Sequence, residues 1–251
     1  MNLPLILAFL FFIGSLVGWG IEVIFRRFVS NRKTHKWVNP GFLVGPYLPL
    51  YGFGLCLLYL LSKIDVSFIE NPWLANLVRF VAMSLSMTVI EYIAGLIFIK
   101  GMNIKLLKID YSDQPGNVGG IICPLFSFFW GILGMLYFHL VHPYITDAVM
   151  WLSHHLVFSF FIGFFFGILT IDLYYSLGIA AKIRKFAQDN EIVVKYEALK
   201  QHIAKLRAEQ KEKTKFIFAF RSDTPLSDIL KKYLEREPKL LKKRKKKSGK
   251  K

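Results

Sequence analysis

The chain has 251 residues, of which 54% are hydrophobic and 16% aromatic, and its mean hydropathy is +0.40. It also carries 33 Lys and Arg against 17 Asp and Glu. A soluble domain of this size cannot bury so many apolar residues, and a disordered chain does not contain them. The composition therefore excludes both classes and predicts a polytopic membrane protein.

Five stretches are long and apolar enough to cross a bilayer, which takes a helix of roughly 20 residues. They cover residues 3–25, 42–61, 74–99, 120–141 and 151–177. The second stretch is rich in Pro and Gly, so it is interpreted either as a kinked but complete crossing or as a re-entrant segment. The expected fold is an all-α transmembrane bundle of about five spans within residues 1–181.

Lys and Arg are unevenly distributed among the connections. They are frequent after the first span, after the third span and beyond residue 181, and sparse in the other two connections. The positive-inside rule then predicts an N-terminus outside, a C-terminus in the cytoplasm and five crossings. This alternation favours a complete crossing for the second stretch.

Residues 182–251 form a separate region, with 23 basic and 9 acidic residues. Apolar residues recur every three or four positions from Ile179 to Leu206, which predicts that a helix continues out of the last span. Its apolar side would pack on the membrane domain, lie on the headgroups or join a coiled coil. A short amphipathic helix is expected from Leu226 to Leu234, after an Asp-Thr-Pro start. The terminal KLLKKRKKKSGKK predicts binding of anionic lipid, without specific nucleic-acid recognition.

Three acidic residues lie inside spans, where a charge costs several kcal/mol. Glu22 precedes Arg26 by one helical turn, so a local ion pair or a functional role is expected. Asp172 lies near the inner end of the fifth span, where cations such as Lys182 or Arg27 are candidate partners. Structural and functional interpretations of Asp172 both remain open.

Glu91 is the acidic residue farthest from any basic residue in the spans. It is interpreted either as a neutral, hydrogen-bonded packing residue or as part of a wet cavity that holds a proton or a cation. Residues 39–54, NPGFLVGPYLPLYGFG, are either a shaped polar path or a proline-kinked helix. The residues proposed to line a polar pathway or substrate site are Glu91, Glu22, Asp172, Tyr47, Tyr51 and Asn39.

The loop from Asp110 to Gly120, DYSDQPGNVGG, contains turn-forming residues throughout. It is interpreted either as a capped turn between two spans or as an anion site at the start of the fourth span. The candidate residues are Asp110, Tyr111, Ser112 and Asn117. Cys56 and Cys123 lie in apolar segments outside any CxxC or Cys/His pattern, so no disulfide, metal or cofactor is predicted.

Four motifs occur in order: GWGIEVIFRR, NPGFLVGPYLPLYGFG, the intramembrane IEY, and DYSDQPGNVGGIIC followed by FFWG. With these motifs, residues 1–177 resemble the bacterial family described as Putative ABC-transporter type IV, a set of permease-like proteins of about five spans. The resemblance implies a transport component of the bacterial cell membrane. Because the chain has no GxxxxGK[ST] phosphate loop, an ATPase would be a separate subunit.

The expected function is a non-enzymatic, permease-like component, with dimerisation as one way to complete a pathway. Two other functions remain open. The first is a membrane scaffold or regulator acting through the basic tail. The second is a membrane-embedded enzyme acting on lipid-linked substrates, although the sequence has no paired-carboxylate, HExxH or Ser/His/Asp pattern.

Overall fold

A computed structural model describes residues 2–30, 39–97, 104–105, 115–190, 194–209, 220 and 224–236. The chain forms two compact units. Unit 1 consists of Met1–Trp19, Tyr47–Ala94 and Asp110–Leu169. Unit 2 consists of Gly20–Pro46, Gly95–Ile109 and Thr170–Lys251.

The described residues are predominantly helical. Two π-helical turns, Arg26–Ser30 and Tyr137–Val141, follow α1 and α4, and a 3₁₀ turn, Leu156–Phe158, precedes α6. The helices are α1 Leu3–Phe25, α2 Pro49–Ser62, α3 Pro72–Gly95, α4 Pro124–Leu136, α5 His142–His154, α6 Ser159–Asp189, α7 Tyr196–Glu209 and α8 Leu226–Arg236, and the strands are β1 Ile104–Lys105 and β2 Val194–Lys195.

Four helical stretches of the described chain are long and apolar enough to cross a membrane. They are Leu3–Phe28, Pro72–Gly95, Pro124–His154 and Leu156–Asp189. The 14-residue α2 is a shorter apolar helix, about 21 Å long at 1.5 Å per residue. The predicted helical, polytopic membrane fold of about five spans is confirmed, with four helices long enough to cross a membrane and the shorter apolar α2.

The second predicted span is divided into two parts. Residues 39–48 have bent, non-helical backbone, and the helix begins only at Pro49. Pro46 and Pro49 explain this division, because proline lacks the N–H that a helix interior requires and is accepted at a first turn.

The predicted connection between the fourth and fifth spans is helical over most of its length. Residues 142–150 were expected to link two spans, and α5 continues through them to His154. Pro143 occupies the first turn of α5, directly after the π-helical turn. The wider turn accommodates the missing proline donor, so the helix does not end there.

The core of unit 1 is apolar and largely aromatic. Its buried side chains come from α1, α2, α5 and α6, and they are Phe9, Leu10, Tyr59, Val149, Leu152 and Ile162. Helices α1 and α2 approach closely because Gly14 and Gly18 leave room for Leu55 and Tyr51.

The core of unit 2 contains the apolar residues that recur every three or four positions from Ile179 to Leu206, which are called the seam. Helix α6 ends at Asp189, Asn190 donates its side-chain N–H to the Phe186 carbonyl, and β2 pairs in parallel with β1. A helix does continue out of the last span, as predicted, but it stops at Asp189 and does not extend over the whole seam, which is shared among α6, β2 and α7. The fully buried members of the seam include Ile183, Tyr196, Leu199 and Ile203, and Val194 of β2 is fully buried as well.

Helix α8 confirms the predicted short amphipathic helix. Its apolar residues Ile229, Leu230 and Tyr233 are buried, and the Tyr233 ring lies 5.7 Å from the His202 ring of α7. The domain boundary proposed near residue 181 falls inside α6, which continues without a break to Asp189.

Candidate functional site

Unit 1 contains a buried polar face on helix α3. Ser84, Thr88 and Glu91 are spaced by four and three residues, which places them on one side of a helix. All three are buried, and Glu91 is only 7% exposed. An ionisable side chain inside an apolar helix is costly, so the groups around Glu91 determine what it does.

Helix α4 supplies partners for this polar face. The Trp130 indole N–H donates to Oε2 of Glu91 at 2.8 Å, and the Ser84 hydroxyl donates to the Ser127 carbonyl at 2.6 Å. The Thr88 hydroxyl donates within α3 to the Ser84 carbonyl at 2.8 Å. The α3–α4 contact is thus a short row of hydrogen bonds ending at a carboxyl group.

Sequence reasoning missed Trp130 as a partner of Glu91. The sequence suggests Tyr92, Tyr51 and Ser86, all on α2 or α3, as hydrogen-bonding partners of Glu91. The FFWG motif contains Trp130, but nothing in the spacing of IEY and FFWG indicates that the two helices align there. Small residues are the signal that could have suggested it, because Gly131 and Gly134 allow α4 to approach Phe80 and Met83.

The two tyrosines of the predicted pathway are packing residues of unit 1. Tyr47 is buried, and its ring lies edge-on against Phe165, with 5.5 Å between the centroids. The Tyr51 side chain fits against Gly18 so closely that a β-carbon there would overlap it.

Unit 2 contains a second polar group. It is built around residues 39–46, which are called the 39–46 segment. Asn39 is buried and donates its side-chain amide to the Val44 carbonyl at 2.8 Å, which closes the segment on itself. Gly41 has a φ of 81°, a conformation that glycine adopts readily and other residues rarely do.

The carboxylate of Asp172 binds the main chain of this segment. The Val44 N–H lies 3.1 and 3.0 Å from its two oxygens, and the Gly45 N–H donates to Oδ2 at 2.7 Å. Ser176, one turn along α6, donates its hydroxyl to Oδ1 at 2.9 Å. Because the segment is not helical, its backbone N–H groups have no acceptors within a helix. Asp172 supplies acceptors for two of them, those of Val44 and Gly45. Cation partners were expected, and these amide contacts were not.

Helix α7 binds the carbonyls of the same segment. The Tyr196 hydroxyl donates to the Phe42 carbonyl at 3.1 Å. The Lys200 ammonium nitrogen lies 3.0 Å from the carbonyl oxygens of both Asn39 and Gly41. Lys200 was not singled out in the sequence, because a lysine beside an apolar seam normally reaches solvent.

Lys200 is only 5% exposed. Its amine nitrogen lies over the Tyr196 ring, 4.9 Å from the ring centroid. Burial lowers the pKa of Lys200 from 10.5 to about 7, the positive charge of Arg26 acts in the same direction, and Asp172 opposes both. Burial also raises the pKa of the Tyr196 hydroxyl well above its ordinary value.

The remaining predicted residues have local partners. Glu22 forms the expected ion pair with Arg26, with 2.6 Å between Oε1 and Nε. Asn117 accepts the Gly120 N–H at 3.0 Å within a turn. Asp110, Tyr111 and Ser112 lie outside the described residues, so the proposed anion site stays a prediction.

The structure brings together only part of the predicted pathway set. Asn39 and Asp172 meet at Val44, whose carbonyl and N–H they bind, whereas Glu91 belongs to the other unit. Among the described residues, no group of three or more His, Cys, Asp and Glu side chains could hold a metal ion.

Four long apolar helices, one of which carries the buried acidic side chain of Glu91, define a multi-pass helical membrane protein. Residues 9–177 match the family described as Putative ABC-transporter type IV, and the chain belongs to that family. Helices α7 and α8 lie outside the matched residues. Comparison with curated proteins gave no match, and neither did comparison with solved structures.

Proposed function

We propose that this protein is the membrane-embedded, permease-like component of a transporter and has no catalytic activity of its own. The observation that carries the proposal is the buried carboxyl group of Glu91 inside an apolar helix, bound by the indole of Trp130. The family description, which relates the chain to ABC transporters, supports the same class of function.

The Glu91 site has the chemistry of a proton or cation carrier. A carboxyl group accepts either species, and the Trp130 indole donates to it. The hydroxyls of Ser84 and Thr88, which donate to backbone carbonyls, lie on the same side of α3. Holding an ionisable group there costs about 2.5–3.5 kcal/mol on insertion scales. An apolar residue would pack at lower cost, which favours a role beyond packing.

The energy source in this proposal is a separate ABC ATPase, since the chain itself has no phosphate-binding loop. A second copy of the chain would complete the pathway. The location is the bacterial plasma membrane, with the basic C-terminal region on the cytoplasmic side near anionic lipid.

The proposal is tested by untargeted metabolite and lipid profiling of a deletion strain. Wild type should restore the profile, Glu91→Gln should fail to do so, and Glu70→Gln should behave as wild type, because Glu70 is an exposed carboxylate outside the helices. All three proteins are quantified in the membrane fraction. Full complementation by Glu91→Gln would overturn the proposed transport role of the site.

The ATPase is tested separately by purifying the tagged protein from native membranes in mild detergent. An ABC ATPase subunit should co-purify with wild type and with Glu91→Gln alike. If no ATPase co-purifies while Glu91→Gln still fails to complement, the site acts with another energy source.

A membrane scaffold is the second candidate, and the helical tail favours it, because α7 and α8 form a packed pair outside the family match. Truncation after Arg236 removes the basic end and leaves both helices intact. A scaffold acting through that end would lose function on truncation and keep it in Glu91→Gln. A permease would show the opposite pattern.

A further inference from the structure

The 39–46 segment is held from two sides by different chemistry. Asp172 of α6 accepts the N–H groups of Val44 and Gly45, whereas α7 donates to carbonyls at the start of the segment. Non-helical backbone at membrane depth persists only where it is buried in protein or lines a water-filled cavity. Without α7, the Asn39, Gly41 and Phe42 carbonyls would lose these donors.

The contacts from α7 all come from one face of that helix. Tyr196 and Lys200 are four residues apart, so both point in the same direction. Next to them, Leu199 and Ile203 are fully buried in the seam of unit 2. Displacement of α7 would therefore withdraw both polar contacts from the segment together.

We propose that helix α7 is a releasable latch, which holds the 39–46 segment in its bent form through Lys200 and Tyr196 and frees it on undocking. The latch belongs to the part of the chain beyond residue 177, whereas the segment belongs to the family region. This inference does not depend on what the protein transports.

The surroundings of Lys200 make the latch sensitive to protons. The charged and titratable groups that act on it are Arg26 after α1, Asp172 of α6 and Tyr196 of its own helix, and Glu22 is paired with Arg26. No acidic side chain contacts the Lys200 nitrogen among the hydrogen bonds described, which run to carbonyl oxygens. A neutral amine still has two N–H groups, enough for both carbonyls.

The sign of the pH effect follows from proton binding in the two forms. With α7 docked, the pKa of Lys200 is about 7. When α7 undocks and the amine is exposed, its pKa returns to 10.5. Between these values the docked form binds fewer protons, so docking strengthens as the pH rises through this window. Docking is weakest below about pH 7, where both forms are protonated, and acid therefore favours release.

Amide hydrogen exchange of the full-length protein in detergent micelles tests the latch. The readout is the protection of the Val44 and Gly45 amides, corrected for the intrinsic pH dependence of exchange. In wild type, protection should rise up to about tenfold per pH unit above about pH 7. Lys200→Met should lower the protection at high pH and abolish this slope, whereas Lys205→Met, an exposed lysine of the same helix, should match wild type.

A general folding defect in Lys200→Met would appear as lost protection of the amides in α3. In that case a second variant supplies the test. Tyr196→Phe should lower the protection of the segment while keeping the slope of wild type. The latch is refuted if wild type shows no slope. It is equally refuted if Lys200→Met keeps the protection and slope of wild type, or if α7 exchanges faster while Val44 and Gly45 stay protected.

Discussion

Each unit holds a carboxyl group among apolar helices, buried Glu91 in unit 1 and half-buried Asp172 in unit 2, and the two are satisfied in different ways. In unit 2, Asp172 is bound by main-chain N–H groups of Val44 and Gly45, which cannot rotate away. In unit 1, Glu91 is bound by the side chain of Trp130, which can change rotamer. A carboxylate held by backbone is suited to fix a chain in place, whereas one held by side chains is suited to exchange a ligand.

The largest expected effect comes from removing the backbone-bound carboxylate. Asp172→Ala leaves two main-chain donors and the Ser176 hydroxyl without this acceptor, so we expect a loss of about 3 kcal/mol in the free energy of unfolding. The measurement is unfolding in mixed micelles with increasing denaturing detergent.

Asp172→Asn is the matched variant, because it keeps one acceptor oxygen and should lose less than half as much. A loss below about 1 kcal/mol for Asp172→Ala would remove the contrast between the two carboxyl groups.

Helix packing in unit 1 gives the next effect. A β-carbon at Gly18 would overlap the Tyr51 side chain, so Gly18→Ala should destabilise by about 2 kcal/mol in the same assay. Gly20, on the same helix, has no atoms within 4 Å of the added β-carbon. Gly20→Ala should therefore be neutral or slightly stabilising, because alanine favours the helix more than glycine does. Equal effects in the two variants would show that the contact between Gly18 and Tyr51 does not decide the loss.

The side-chain hydrogen bond to Glu91 should contribute less. Trp130→Phe removes the indole donor and should cost about 1 kcal/mol, the usual range for such bonds between membrane helices. Glu91→Gln keeps an oxygen for Trp130 and should cost less. A cycle with Glu91→Leu, which removes the acceptor, should show that its loss and the loss of Trp130→Phe are not additive, and strict additivity would argue that the bond contributes nothing.

The smallest effect is expected at the ion pair of Glu22 and Arg26. Glu22→Gln should cost about 0.3–0.5 kcal/mol, because helical pairs at this spacing are weak and screened by salt. The free energy of unfolding is compared at low and high salt. Its dependence on salt measures the contribution of the ion pair, and this dependence should be absent in Glu22→Gln. A salt-insensitive loss would indicate a packing role for Glu22.

The sequence determined the local and compositional properties of this protein. Runs of apolar residues predicted membrane-spanning helices, the four-residue spacing predicted the pair of Glu22 and Arg26, and Pro and Gly near residue 46 predicted a broken second span. These properties depend on residues within one or two helical turns of each other, so a single chain segment contains the information.

The tertiary structure decided the partners of the buried polar groups. Trp130 meets Glu91 across 39 residues of chain, and Lys200 reaches the Asn39 carbonyl across 161. Residue type did not reveal these pairings, because a tryptophan or a lysine has many acceptors available until packing excludes the others. A buried donor must find an acceptor, but only the packing of the helices selects which one it finds.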